Sequence, residues 1–281
     1  MQVMKLMEML GEFEKELIRA ELSERTIKKY VKDTSNLLNY LGEKVGVDSV
    51  FCKESLLDYK KELMLKYKVS SINSKIVSIN RFTDWVGLKG FKLKTERLPK
   101  KISMENVISK HEYNQLLEWA SANGHEKYYL IMRVLASTGI RVGELKYITK
   151  EAVKSGSILI RHKNRNRAIY IPDETQYILH NYCDKNNIES GIIFHGKDKS
   201  KPLDESTIWK MLKRIAGYTH IDKEKVYPHS FRHLFAKVYM DEIGNIAELA
   251  DILGHSSIET TRIYTLTTSS ERRKSIGRLG L

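Results

Sequence analysis

Five side chains that could bind or attack an anionic group stand beside predicted helix ends. Arg141 is expected at the first turn of a helix, where its planar guanidinium and the positive end of the helix can face a phosphate. His229 and Arg232 are three positions apart on another helix, so an imidazole and a guanidinium can converge on one anion. His255 lies in a tight turn, and Tyr264 falls about two turns along the helix that follows. The spacing predicts a pocket in which a phosphate group meets a phenol.

None of these residues is specific when it is taken alone. A single arginine usually lies on the surface or in an ion pair, and the His-x-x-Arg spacing recurs by chance. Tyr264 is one of 15 tyrosines, most of which must be structural. Glu144 lies three residues after Arg141 and could orient its guanidinium. His233, next to Arg232, is expected to point elsewhere and to pack or form a hydrogen bond. The prediction therefore depends on the combination.

Local signals place the helix ends beside these residues. Gly139 and Gly254 are each predicted to end a helix, because glycine favours the left-handed conformation of a helix C-terminus. Pro228 is predicted to begin a helix, since proline suits the first helical position. Ser256 and Glu259 have the spacing of a capping box for the short helix that leads to the tyrosine.

The first hundred residues have the pattern of a small helical bundle, because apolar side chains recur at helical spacing between breaks. One helix is predicted over the stripe from Leu6 to Ile18, and a second from Ser23 to Gly42. Two more are predicted over residues 53–67 and 71–87. The last of these carries polar side chains that are expected to face away from the bundle: Asn73, Lys75, Asn80 and Arg81.

The second half opens with Ser109 and Glu112, a capping-box pair that should begin a helix. Further helices are predicted to about residue 148. Two apolar runs, residues 158–160 and 169–171, then flank a polar and basic stretch, which predicts a β-hairpin before helices resume. The expected fold class is mainly α with a small β-hairpin.

A basic segment separates the two halves. Its cationic side chains are opposed only by Glu96 and are Lys89, Lys92, Lys94, Arg97, Lys100 and Lys101. We interpret it as an interdomain linker that could cross phosphates, although a solvated run of charge has the same composition. The domains are placed at residues 1–95 and 106–281, joined by residues 96–105.

The composition points toward nucleic acid. Lys and Arg number 48 against 35 Asp and Glu, a formal charge of +13 with a pI near 9.4, as in many nucleic-acid binders. No apolar run is long enough for a membrane span and the N-terminal segment is amphipathic, so a cytoplasmic location is predicted. Cys52 and Cys183 are far apart, which suggests neither a disulfide framework nor a thiolate metal site.

In this order and combination, the two arginines, two histidines and tyrosine resemble the tyrosine recombinase (λ-integrase) family, at the two-domain size of its Xer-like members. The resemblance covers nearly the whole chain, with specific motifs in the second half and only pattern and length in the first. It implies a helical core-binding domain of SAM-like fold followed by an α+β catalytic domain.

The resemblance implies a role for each of the five residues. Arg141 and Arg232 match the arginines that stabilise the negative charge gathering on the phosphate during attack. His229 matches the expected base, and His255 would donate a hydrogen bond to the phosphate. Tyr264 matches the nucleophile, which would form a 3′-phosphotyrosyl bond.

The family also carries a lysine on a β-hairpin, which would protonate the departing 5′ oxygen. Lys163 is the candidate, and it is the only lysine between Lys154 and Lys185. In place of the usual Gly-Lys-Gly turn, His162 and Asn164 flank it here.

The implied function is site-specific recombination of duplex DNA at paired inverted core sites by a homotetramer. No metal, ATP or other cofactor is implied, because the covalent bond to tyrosine keeps the energy of the phosphodiester. Accessory DNA-bending or directionality proteins could take part. The tail from Ser269 to Leu281 is expected to dock on a neighbouring protomer, while a frayed end fits its sequence equally well.

Other functions stay open at this point. A type IB topoisomerase-like enzyme would share the chemistry but relax supercoils as a monomer. A DNA-binding accessory protein would have lost catalysis, and a metal-dependent nuclease fits less well. Within recombination, integration or excision of a mobile element and resolution of DNA both remain compatible with the sequence.

Overall fold

The computed structural model describes residues 1–97, 106–162, 165–255, 257–265 and 277. The chain divides into two units, Met1–Lys100 and Lys101–Leu281. Buried apolar side chains cluster separately within each of them. None of the helices in the described ranges is long and apolar enough to cross a membrane.

The first unit is helical in its described residues, in the order α1 (Val3–Glu8), α2 (Leu10–Arg19), α3 (Glu24–Val45), α4 (Lys53–Lys66), α5 (Val69–Trp85) and a 3₁₀ turn (Lys89–Phe91). The single helix predicted from Leu6 to Ile18 is in fact two helices, because the helix is interrupted at Met9. Ile18 was expected on the apolar stripe but is 58% exposed. Phe13 packs edge-on against Phe82, with ring centroids 5.1 Å apart, in the core of this unit.

Helix α3 begins where it was predicted but ends later. The hydroxyl of Ser23 accepts a hydrogen bond from the Thr26 amide, which caps the first turn. Gly42 does not end the helix, and a Cβ there would lie 3.2 Å from Met7 Cε, so the glycine serves the close packing of α1 on α3. The helix ends instead at Gly46, whose φ of 89° is unfavourable for other residues.

The polar face predicted for α5 is occupied by the unit's own chain. Asn73 accepts from the Glu96 amide and donates to its carbonyl, and Asn80 pairs with the backbone of Leu93 in the same way. Lys75 forms an ion pair with the buried carboxylate of Asp33. Both asparagines thus hold residues 93–96 of the basic segment on this unit, because a side-chain amide matches the donor and acceptor of one extended residue.

The second unit alternates helices with one hairpin in its described residues. Its elements are α6 (Lys110–Ala122), α7 (Glu126–Thr138), a 3₁₀ helix (Val142–Tyr147), α8 (Lys150–Ser155), β1 (Ser157–His162), β2 (Arg165–Tyr170), α9 (Asp173–Lys185), α10 (Glu205–Tyr218), α11 (Pro228–Glu242), α12 (Ile246–Leu253), α13 (Ile258–Thr261) and a final 3₁₀ turn (Arg262–Thr265). The capping box of Ser109 and Glu112 is present as predicted.

Strands β1 and β2 form the predicted hairpin as an antiparallel pair, with Ile160 opposite Arg167. Successive side chains along each strand point to opposite faces of the hairpin. Ile169 is buried and Tyr170 is 67% exposed. Position 167 therefore faces the interior together with Ile169. The predicted fold class, mainly α with a small β-hairpin, is confirmed.

Candidate active site

Arg141 lies where the sequence placed it, at the start of the 3₁₀ helix Val142–Tyr147. Its backbone amide donates to Glu144 Oε2 over 2.9 Å, and its Nη1 donates to Oε1 of the same carboxylate over 3.2 Å. Its Nη2 donates to the Gly254 carbonyl over 3.2 Å. The orientation of Arg141 by Glu144 is thus confirmed, and it also ties the arginine to the turn that carries His255.

Arg232 is the most deeply buried arginine or lysine among the residues whose burial is described, with 3% of its surface exposed. It donates to the carbonyl oxygens of Gly139 and Leu253, which end α7 and α12, over 2.6 and 2.5 Å. Burial, followed by repulsion from Arg141 and Arg167, lowers the pKa of Arg232 to about 9. The guanidinium therefore keeps its charge at neutral pH.

Two hydrogen bonds to described residues indicate the tautomer of His255. Its Nε2 lies 3.1 Å from Nη2 of Arg232, and a guanidinium can only donate, so Nε2 accepts. The ring proton of the neutral imidazole is then on Nδ1, which donates to Thr261 Oγ1 over 2.8 Å. Burial, followed by the charges of Arg232, Arg141 and Arg167, lowers the pKa of His255 to about 4. At neutral pH this histidine is therefore neutral.

Tyr264 is 8% exposed and packs among apolar side chains of α11 and α12. Its hydroxyl shares a hydrogen bond of 2.8 Å with Nδ1 of His233. Burial raises the pKa of Tyr264, although the charge of Arg232 opposes that effect. His233 was expected to point elsewhere. It forms a hydrogen bond as predicted, but this bond is with the tyrosine of the site. His233 lies four positions after His229, so both histidines are on the same side of α11.

His229 lies at the start of α11, as the Pro228 signal predicted. Its ring borders an open cleft of about 420 Å³ whose lining includes Trp209 and Tyr227. The ring remains accessible to solvent. Partial desolvation, followed by the charges of Arg232 and Arg141, nevertheless lowers the pKa of His229.

Arg167 joins the site from strand β2, and it was not among the residues selected from the sequence. Its Nη2 donates to Glu144 Oε2 over 2.5 Å, and both side chains are at least 90% buried. Burial alone would raise the pKa of Glu144, but the Arg141 amide and the charges of Arg167 and Arg141 outweigh that effect and lower it. The alternation of side chains along β2 could have indicated this residue, because position 167 lies on the same inward face as the buried Ile169.

Two glycines allow the segments to approach so closely. Gly139 and Gly254 both end helices with φ of +62°. A Cβ at Gly139 would lie 2.6 Å from Phe235 Cδ1, and one at Gly254 would lie 2.6 Å from Arg167 Cδ. The glycines predicted as helix ends therefore also provide the space in which α11 and β2 meet the two turns.

Four predicted features lie wholly or partly outside the described residues: residues 98–105 of the linker, with Lys100 and Lys101; Lys163 between the strands; Ser256 before α13; and the tail from Ser269 onward, apart from Gly277. In the described sequence the cap of α13 is the hydroxyl of Ser257, which accepts from the Glu259 amide. Across the described ranges, no three His, Cys, Asp or Glu side chains are grouped so that they could hold a metal ion.

In the described site two guanidinium groups, those of Arg141 and Arg167, contact the carboxylate of Glu144. A third guanidinium, that of Arg232, contacts His255, so positive charge exceeds negative charge among these four charged groups. Such an arrangement can bind a phosphodiester and stabilise further negative charge on its oxygens. It brings together the sequence-predicted Arg141, Arg232 and His255, with His229 and Tyr264 on neighbouring turns.

Comparisons with known proteins agree with this geometry. Residues 106–271 match the model of the phage integrase family. A tyrosine recombinase of Agathobacter rectalis is 29% identical over 283 residues, covering 92% of this chain and 90% of that protein. The crystal structure of XerA recombinase is 27% identical, with a TM-score of 0.53 over 96% of this chain and 97% of the other. The Tn1549 transposon integrase is 16% identical and has the same fold, with a TM-score of 0.74 and full coverage of both chains.

The matched residues are more than half of the chain and include the arginine of the first motif, the His-x-x-Arg motif, the second histidine and the tyrosine. The chain therefore belongs to the phage integrase family and is a site-specific tyrosine recombinase, an enzyme that cleaves and rejoins DNA by transesterification.

Proposed function

We propose that this protein cleaves duplex DNA by attack of Tyr264 on a phosphodiester held by Arg141 and Arg232, forming a 3′-phosphotyrosyl bond. The observation that carries the proposal is that Arg232 contacts three groups on two separate segments, the turn after α7 and the turn after α12. Its guanidinium binds the ends of α7 and α12 and the ring of His255. A cation held in this way is preorganised for a transition state that gathers negative charge, and such electrostatic stabilisation often provides most of the rate enhancement of an enzyme.

His255 and Arg141 complete the anion site in this proposal. Arg141 retains about a third of its side-chain exposure, so it can reach a phosphate without leaving Glu144. Nε2 of His255 accepts a hydrogen bond from Arg232. To donate a hydrogen bond to a phosphate, this nitrogen must first gain a proton. A bound phosphodiester favours that change, because its negative charge stabilises the imidazolium.

Two proton transfers accompany the attack. The phenolic proton of Tyr264 must leave, and the sequence predicts His229 as the acceptor. The departing 5′ oxygen must gain a proton, and the sequence predicts Lys163 as the donor. The second transesterification reverses these transfers when another 5′ hydroxyl attacks the phosphotyrosine, so neither ATP nor metal is needed for the energy balance.

The DNA partner is inferred from relatives and from charge. The Tn1549 integrase has been seen with transposon right-end DNA, and a λ integrase dimer with a core site. By analogy we assign residues 1–95 as a core DNA-binding domain, 96–105 as a linker and 106–281 as the catalytic domain. We further propose that the protein acts in the cytoplasm as a homotetramer on paired inverted sites. Its role would be to move mobile DNA or to resolve DNA, and accessory proteins would bend the DNA or set the direction of recombination.

One experiment tests this function directly. The full-length protein is incubated in EDTA with a DNA site nicked next to the cut position, so that the cleaved end diffuses away and the covalent adduct is trapped. We expect an adduct with the wild type and none with Tyr264→Phe. An equal adduct from Tyr264→Phe would disprove the nucleophile assignment, and an adduct that requires added metal would favour a nuclease.

A further inference from the structure

His233 occupies the position from which a base would act on Tyr264. The two residues lie on different elements, α11 and the 3₁₀ turn Arg262–Thr265. Their reactive atoms, Nδ1 and the hydroxyl oxygen, are 2.8 Å apart, and their ring centroids are 5.6 Å apart. A general base must lie within about 2.6–3.2 Å of the atom whose proton it takes. His233 meets that distance condition toward Tyr264.

His229 lies one helical turn away from this contact. Its ring centroid is 6.3 Å from that of His233. Among the described residues the imidazole of His229 forms no hydrogen bond, and it borders the cleft of Trp209 and Tyr227. The histidine selected by motif therefore faces the open side of the site, whereas its neighbour on the same helix contacts the phenol.

The surroundings explain why a base is needed and when it could act. Burial raises the pKa of Tyr264, so the phenol does not ionise by itself near neutral pH. The described titratable groups beside His233 include His229 on its own helix, Tyr264, and His255 on the turn after α12. The charge of Arg232 acts on His229 and His255, so it disfavours a further positive charge in this cluster. A bound phosphate would offset that repulsion, and proton transfer would then be coupled to the presence of DNA.

We propose that His233, in place of the His229 that the sequence predicts, is the catalytic residue that accepts the phenolic proton of Tyr264 during cleavage. This role rests on the proposed attack of Tyr264 on a phosphodiester. In this step the O–H bond of Tyr264 breaks and its proton moves to Nδ1 of His233, while the phenolic oxygen bonds to phosphorus. The bond from phosphorus to the 5′ oxygen breaks, and that oxygen leaves with the electron pair and is protonated by the general acid. In rejoining, the proton returns from His233 to the departing phenolate.

The test compares two matched variants of the full-length protein, His233→Asn and His229→Asn. Asparagine can keep a hydrogen bond near the Nδ1 position but cannot take up a proton. Single-turnover cleavage of the nicked substrate is measured at saturating DNA from about pH 6 to about pH 10. Thermal unfolding and DNA-site binding serve as controls for folding, and wild-type adduct formation checks the proposed function independently.

We expect His233→Asn to reduce the cleavage rate about 100-fold near pH 7, within the usual range for loss of a general base. The deficit should shrink as pH rises, because hydroxide and ionisation of the phenol replace the missing acceptor. His229→Asn should lose rate by the same factor at every pH. Replacing Tyr264 with 3,5-difluorotyrosine, whose phenol is more acidic, should restore most of the rate lost in His233→Asn.

The opposite patterns would overturn the assignment. A deficit in His233→Asn that is equal at all pH values and is not rescued by the fluorinated tyrosine would leave His233 with a structural role only. A pH-selective deficit in His229→Asn instead would return the base to that residue. If His233→Asn does not fold, His233→Gln is judged by the same two criteria. Absence of any wild-type adduct would count against the proposed function itself.

Discussion

Nη2 of Arg167 donates to Oε2 of Glu144 over 2.5 Å, so strand β2 is joined to the carboxylate that orients Arg141. Both partners are buried, with 8% and 7% of their side chains exposed. The ion pair therefore links the hairpin that precedes α9 with the turn that follows α7. A change at either partner should affect the stability of the second unit and the geometry of the anion site together.

Glu144→Gln should lower the free energy of unfolding by about 3 kcal/mol, because it leaves Arg167 buried beside a neutral side chain. Arg167→Met should be destabilising as well. The double variant should recover part of the loss, since it buries neither charge alone. Urea unfolding of the four proteins measures the coupling, and effects that add to within about 0.5 kcal/mol would contradict a direct interaction.

Gly254→Ala should be more destabilising than Gly124→Ala by at least about 1 kcal/mol, because only the first forces a side-chain clash. Both glycines have positive φ, +62° and +71°, so both substitutions carry a similar backbone cost. The added Cβ at position 254 would meet Arg167 Cδ at 2.6 Å, whereas nothing lies within 4 Å at position 124. Denaturant unfolding compares them, and equal losses would show that Arg167 moves aside freely.

The stability of the protein should fall as pH decreases from about 6.5 toward 4, in part because of His255. Its pKa is lowered from 6.5 to about 4 by burial and by neighbouring arginines, so in this range the unfolded chain binds a proton that the folded chain does not. His255→Gln should lose this contribution. The difference in melting temperature between wild type and variant should therefore shrink from pH 7 to pH 5, and a constant difference would place the titration elsewhere.

Arg141→Ala should reduce adduct formation on the nicked site by at least about 100-fold while leaving site binding nearly unchanged. The physical reason is that a preorganised donor acts on charge that develops in the transition state, whereas many other phosphate contacts sustain binding. Arg262→Ala is the matched control, because it removes the same charge from an exposed side chain of the tyrosine's own turn. A large loss of binding in Arg141→Ala would make this arginine a positioning residue.

Lys163→Ala should lose cleavage of ordinary DNA but regain it on a substrate with a 5′-phosphorothiolate at the cut position. A thiolate leaves without protonation, so the sulfur substitution bypasses a missing general acid. Cleavage of both substrates is followed with wild type and variant under the same conditions. Full activity of Lys163→Ala on ordinary DNA, or failure of the sulfur substrate to rescue it, would move the acid to another residue.

Much of the local structure followed from sequence patterns. The capping box of Ser109, the helix ends at Gly139 and Gly254, and the helix start at Pro228 lie where the sequence placed them. These features depend on residues within about four positions of one another, so their cause is contained in short stretches of chain. The hairpin followed for the same reason, since alternation has a period of two residues.

The sequence by itself therefore determined the residue types of the site and the helix ends that carry them. Only the tertiary structure decided that Arg167 binds Glu144, that Asn73 and Asn80 hold the basic segment, and that His233 contacts Tyr264. These partners are 13 to 31 positions apart. Such contacts depend on how whole elements pack. The sequence pattern within one helix or strand does not indicate which residue of another element a side chain will meet.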